Sequence, residues 1–112
     1  MALTDLGPFA DAGLLLLASL AAGPKHGYAM LADVEAMSGV RMGPGTLYTT
    51  LARLQQQGWI EALPAEEARR PYRLTDAGRQ MLQAQLRRLE RFTASGLARL
   101  GLQGATGGGT PA

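Results

Sequence analysis

Arg41-Met42-Gly43-Pro44-Gly45-Thr46-Leu47-Tyr48-Thr49-Thr50-Leu51-Ala52-Arg53-Leu54-Gln55-Gln56-Gln57-Gly58 is the stretch on which the reading of this 112-residue chain turns. Pro44 suits the first turn of a helix, where its missing N–H costs nothing, and Gly58 suits the position just past a helix end. The spacing therefore predicts a helix that opens at Gly43-Pro44 and runs to Gln57. At 100° per residue, Leu47, Leu51 and Leu54 fall within about 60° of arc and form a narrow apolar stripe. Thr46, Thr49, Arg53 and Gln56 fall on the far side, at about 180–260° from Leu47. That face offers two hydroxyls, a guanidinium and an amide, and no carboxylate. Such groups bond base edges and phosphates. Arg53 can take a guanine edge bidentately or a phosphate. Gln56 can take adenine, but it stands late in the helix, where groove contact weakens. The free N–H groups at the helix start favour an anion, and Gly45 and Thr46 let a phosphate approach. The run is not a P-loop, since the Lys-Ser/Thr ending is absent. An ordinary amphipathic helix would show the same polar outer face.

Upstream, Leu14 to Ala22 reads as a first helix, apolar on almost every side and so needing cover on every side. Gly23-Pro24 breaks it. His26 to Met37 reads as a second helix, with Tyr28, Leu31, Val34 and Met37 as its buried stripe, and Ser38-Gly39 ends it. Downstream, Trp59 to Leu63 reads as a strand and Pro64 to Ala68 as a turn. Pro71 to Leu74 reads as a second strand, with Pro71 at its start or on an edge. Thr75 can cap a long fourth helix. Residues 101–112 hold five glycines and no charge, and are expected to be disordered. The expected fold is mainly α with a small β-hairpin (α+β), in the order of a winged helix-turn-helix. In that architecture the third helix enters the DNA major groove and the hairpin lies on the flanking backbone or minor groove. The expected organisation is a DNA-binding domain over 8–74, a dimerisation helix over 75–100 and a tail over 101–112.

Composition narrows the function. The chain has no cysteine and one histidine, which excludes a disulfide framework, thiol chemistry and an ordinary structural zinc site. No cofactor is expected. His26 has no second histidine and no orienting carboxylate close in sequence, so catalysis is not expected. The net charge is only +2, but it is unevenly spread. Residues 1–40 carry Lys25 against Asp5, Asp11, Asp33 and Glu35, whereas the remainder carries ten arginines against five carboxylates. A basic C-terminal half suits an anionic partner such as nucleic acid. The apolar run Ala12–Ala22 is too short to span a membrane, and the preceding Asp5 and Asp11 do not suit a signal peptide. A cytoplasmic location is expected.

The fourth helix carries a seam. Leu82, Leu86, Leu89, Thr93, Gly96 and Leu100 lie within about 40° of one line, Leu97 lies beside them, and Arg87, Arg88 and Arg91 point away. A small domain has a thin core, and pairing is a common remedy. The expected dimer interface joins Leu82, Leu86, Leu89, Leu97 and Leu100 with Leu14, Leu15, Leu16 and Leu17 of the first helix. The alternative is a fourth helix folded back on its own domain.

Arg41 to Tyr48 resembles the start of the recognition helix in the PadR family of transcriptional regulators. Gly23-Pro24-Lys25-His26-Gly27-Tyr28 resembles that family's entry into helix 2. Arg53-Leu54, Gly58-Trp59-Ile60-Glu61 and Tyr72-Arg73-Leu74-Thr75-Asp76-Ala77-Gly78-Arg79 resemble its wing and the run into its last helix. The resemblance covers roughly residues 9–92 and is to the compact branch with a single C-terminal helix. It implies a homodimeric DNA-binding regulator, usually a repressor, acting on an inverted-repeat operator. It also implies that Thr46 and Tyr48 lie at the DNA backbone and that Thr49, Thr50 and Arg53 vary with the operator. Arg41, Gly45, Arg69, Arg70 and Arg73 complete the expected DNA-binding set. Some family members bind aromatic compounds, which makes Trp59 a candidate platform for a small aromatic effector. Two departures stand out: Thr49 follows the tyrosine, and the short wing carries Glu66-Glu67, which would repel phosphate. The competing function is a winged-helix module that only contacts proteins. Such a module should expose an aromatic or aliphatic anchor on helix 3, and its binding to DNA should not depend steeply on salt.

Overall fold

A computed structural model describes residues 11–102. Its elements are α1 (Ala12–Ala21), β1 (Lys25–His26), α2 (Gly27–Ser38), α3 (Pro44–Gln56), β2 (Ile60–Ala62), β3 (Pro71–Leu74) and α4 (Asp76–Arg99). The chain divides into two compact units between Leu82 and Gln83, inside α4 rather than at the expected Leu74–Thr75 boundary. The expected disordered tail lies outside the described residues from 103 onward, as does the expected domain start at residue 8.

In the first unit the core is built from Leu16, Leu17, Leu20, Met30, Val34, Leu47, Leu51, Leu54, Ile60, Leu74 and Leu82, joined by Met42. α1 starts two residues before the expected Leu14, because the Asp11 carboxylate accepts the N–H groups of Gly13 (2.8 Å) and Leu14 (3.3 Å). This side-chain cap satisfies two of the donors that a helix start leaves free. The α2 stripe differs from expectation. Tyr28 and Met37 are exposed, and the buried positions are Gly27, Met30 and Val34, with Leu31 half-buried. A three-residue step drifts 60° per repeat around a helix, so a stripe spaced only by threes leaves the core face within three turns.

Two polar contacts tie these helices together. The buried Ser19 hydroxyl donates to Asp33 Oδ2 at 2.7 Å, and Lys25 Nζ donates to the Ser19 carbonyl at 2.5 Å. The network spans α1, β1 and α2, and leaves the Ser19 hydroxyl satisfied where it is out of water.

α3 ends as the sequence implies. Gly58 (φ 78°) adopts the left-handed conformation, with Gly58 N–H bonded to the Gln55 carbonyl and Trp59 N–H to the Leu54 carbonyl. This paired closure satisfies the last α3 carbonyls and turns the chain into β2. Trp59 is half-buried against the core. The sheet has three strands in the order β1-β3-β2, both pairs antiparallel. The two-residue strand β1 is an addition to the expected hairpin. It pairs Lys25 with Tyr72 and His26 with Pro71, and is too short to leave any periodicity in the sequence. Thr75 locks the next junction: its hydroxyl accepts the Gly78 N–H and donates to the Gly58 carbonyl at 2.6 Å.

The second unit consists of α4 from Gln83 onward. Arg87 and Glu90 pair at 3.8 Å, and Arg99 bonds the hydroxyl and carbonyl of Ser95. Leu86, Phe92 and Leu100 are exposed along it.

Candidate nucleic-acid interface

α3 presents the expected face. Leu47, Leu51 and Leu54 are buried beneath it, while Gly45, Thr46, Thr49 and Arg53 stand exposed along one side. These residues, with Asp11 and Ala12 from the start of α1, line an open depression of about 860 Å³. Thr50, which the family resemblance places among the operator-dependent positions, also lines it but is only 4% exposed. Thr50 lies next to Leu51 and one turn from Leu47 and Leu54, on the flank of the stripe that enters the core.

Tyr48 leaves this row and crosses to α2. A Cβ placed on Gly27 would lie 2.8 Å from the Tyr48 hydroxyl and 3.0 Å from Leu47 Cδ2. Gly27 thus permits close contact between the start of α2 and α3, while Tyr48 stays about half exposed at 47%.

The basic residues divide by their partners. Arg41 donates to Glu35 Oε2 at 3.3 Å, Arg70 to the Leu63 carbonyl at 3.0 Å and Arg73 to Glu61 Oε2 at 3.1 Å. The Glu61 hydrogen bond and charge raise the Arg73 pKa above its ordinary value. Arg69 Nη1 approaches His26 Nε2 at 3.4 Å, linking the wing to the start of α2. Arg53, by contrast, has no ion pair or side-chain hydrogen bond among the described residues, so its whole fork of donors faces solvent.

The wing tip is a two-residue turn. Glu66 and Arg69 exchange backbone hydrogen bonds of 2.6 and 2.8 Å, and the central Glu67 (φ 48°) and Ala68 (φ 67°) both lie in the left-handed region. Glu66 and Glu67 are exposed there, as the sequence implied.

The expected dimer residues fall into three groups. Leu16, Leu17 and Leu82 are buried in the core of their own unit, which removes them from any interface. α1 finds most of its cover within one domain, packed by α2, α3 and β3. Leu14 and Leu15 remain half-buried. On the later part of α4, Leu86 is exposed and Leu89 and Leu97 half-buried, and Leu100, just past its end, is exposed. Phe92, 72% exposed, was not expected on this surface because it lies at about −80° from the Leu82 line, outside the narrow stripe. Asp11 was also missed, although an aspartate directly before an apolar helical run is a capping signal.

Residues 16–84 match the PadR-like family of transcriptional regulators. The chain belongs to this family. It is 43% identical over 68 residues to the transcriptional regulator Rv3488 of Mycobacterium tuberculosis, a match covering 58% of this chain and 63% of that protein. The chain spans less than two thirds of the length of the curated relatives it matches, 24% of one and 63% of the other. A transcriptional regulator from Clostridium thermocellum superposes with a TM-score of 0.71 at 23% identity, over 85% of this chain and 96% of that one. Bacillus subtilis PadR, solved in complex with operator DNA, superposes with a TM-score of 0.61 at 24% identity, over 66% of this chain and 45% of that one. These superpositions establish the winged-helix fold, and the family is one of transcription regulators rather than enzymes. Among the described residues no helix is long and apolar enough to cross a membrane.

Proposed function

We propose that this PadR-family regulator binds a specific inverted-repeat operator as a homodimer, with α3 in the major groove, and that it acts as a repressor. The observation that carries the reading is the row Gly45, Thr46, Thr49 and Arg53, exposed on one face of α3 with the Arg53 guanidinium unpaired. Hydroxyls and a free guanidinium are what base edges and phosphates require, and α3 exposes no carboxylate to oppose them. The operator complex of the similar Bacillus subtilis PadR supports DNA as the ligand class. In this reading Thr46 and Tyr48 meet the backbone, Thr49 and Arg53 face base edges, and Arg69 reaches a flanking phosphate. Arg41, Arg70 and Arg73 have shorter contacts to carboxylate or carbonyl oxygens to give up first, whereas Arg69 gives up only its 3.4 Å approach to His26. A two-fold dimer sets two copies of α3 about one helical turn apart on one face of the duplex.

The test is binding of the wild-type protein and Arg53→Ala to random duplex DNA and to a duplex selected from a random pool. The wild type should lose affinity steeply as salt rises. Arg53→Ala should cost about 1–3 kcal/mol on the selected site if it reads a base, and a similar loss on all sequences if it holds a phosphate. Absence of binding to any duplex at low salt would replace this reading with a protein-contact module.

A further inference from the structure

The depression beside α3 holds one residue that does not suit a DNA face. Asp11 lines it together with Gly45, Thr46, Thr49 and Arg53. Its Oδ1 accepts the Gly13 and Leu14 N–H groups, which explains why a capping residue stands here. The positive end of α1 also favours a carboxylate over a neutral cap, but the same charge stands inside the depression, where it meets whatever enters. Asp11 is exposed and forms no ion pair with Arg53 or any other cation among the described residues. The depression therefore carries one positive and one negative group, both open to whatever enters it.

We propose that Asp11 is an affinity-limiting residue of the DNA face, whose carboxylate opposes the phosphates of any duplex seated against the α1–α3 depression. The inference rests on the reading that α3 binds DNA. The physical argument is charge. Sequence-independent binding is almost wholly an attraction between cations and phosphates, and a carboxylate inside the contact area subtracts from it. A neutral depression leaves binding to depend on the hydrogen bonds of Thr46, Thr49 and Arg53. Weak attachment to random DNA matters to a regulator because competing sites far outnumber operators.

The experiment uses Asp11→Asn and Asp11→Ser, both of which keep a capping oxygen, with random-sequence duplex DNA as the probe at low and moderate salt. Both variants should bind roughly 3–10-fold tighter than wild type at low salt. The advantage should shrink as salt screens it, with the slope of log affinity against log salt steeper by up to about one. Melting temperatures should fall only slightly, since the capping oxygen is kept and only the carboxylate's attraction to the α1 dipole is lost. Unchanged or weaker binding by both variants, with the wild type still binding in a salt-dependent way, would overturn the role of Asp11 and leave the DNA reading standing. Failure of the wild type to bind any duplex would overturn both.

Discussion

The Tyr48 hydroxyl lies against Gly27 so closely that a Cβ there would meet it at 2.8 Å. The contact joins the first residue of α2 to α3, and it fixes where the half-exposed Tyr48 ring can go. In Gly27→Ala, Leu47 Cδ2, at 3.0 Å from the new methyl group, belongs to a buried side chain and cannot retreat freely. We expect Gly27→Ala to cost about 1–2 kcal/mol in denaturant unfolding and to weaken DNA binding, by displacing Tyr48. Removing the hydroxyl opens the space, so Tyr48→Phe should recover part of the lost stability when combined with Gly27→Ala. Additive losses would show that Leu47 alone resists the methyl group. On its own, Tyr48→Phe should leave the melting temperature nearly unchanged and lower DNA affinity.

Gly78 and Gly96 both lie inside α4 and should answer differently to alanine. A Cβ on Gly78 would stand 2.0 Å from the Trp59 carbonyl oxygen, a backbone atom already held by the Thr75 N–H at 3.0 Å. Neither partner can move without breaking the junction between β2 and α4. Gly78→Ala should therefore cost on the order of 2–4 kcal/mol or prevent folding. Nothing lies within 4 Å of a Cβ on Gly96, and alanine there should raise helix stability by about 0.5–1 kcal/mol. Thermal melts of the two variants, compared with wild type, check both signs.

The wing turn offers a stabilising substitution. Glu67 and Ala68 sit at φ 48° and 67°, which suits asparagine and glycine far better than residues with a longer or methyl side chain. Glu67→Asn with Ala68→Gly should stabilise the domain by about 0.5–1.5 kcal/mol in chemical unfolding, through relief of backbone strain. The same pair removes one exposed carboxylate from the wing tip. If the tip approaches phosphate, affinity for random duplex DNA should rise at low salt; unchanged affinity would place the tip away from DNA.

The sequence made α3 legible because three independent signals agreed there: Pro44 at its start, Gly58 past its end, and a leucine stripe of helical period between them. The second wing strand was legible through Pro71 and Thr75 on either side of it. β1 was not, since Lys25 and His26 form a strand only by pairing with Tyr72 and Pro71, far along the chain. The pairing state of the arginines was equally hidden. Arg73 and Arg53 look alike in sequence, and only the fold sets Glu61 beside one and leaves the other free. Thr50 enters the expected DNA-binding set through the family resemblance alone, and its burial on the flank of the leucine stripe depends on neighbours that only the fold supplies.

Leu82 is buried within the first unit and gives the α4 apolar face a later start than its leucine spacing suggests. That residue serves the core of its own unit, so a seam on α4 begins at Leu86 and continues through Leu89, Leu97 and Leu100, widened by Phe92. Leu86, Phe92 and Leu100 are 46%, 72% and 74% exposed, large apolar side chains that a second copy of the chain could cover. Thr93 and Gly96 interrupt the seam, so the helix is too weak for a free-standing coiled coil, and the half-buried Leu14 and Leu15 remain candidates to complete the interface. Wild-type protein should sediment as a dimer at micromolar concentration. Leu86→Asp with Leu89→Asp should sediment as a monomer, because two carboxylates cannot be buried against an apolar partner without large cost. A change at Leu82 would unfold the first unit and confuse the result, which is why it is left intact. The monomeric variant should keep a cooperative melt, since Leu86 and Leu89 lie outside the first unit's core, yet lose affinity for an inverted repeat far more than for a single half-site. A wild type that sediments as a monomer, or a double mutant that stays dimeric, would remove this face of α4 from the interface.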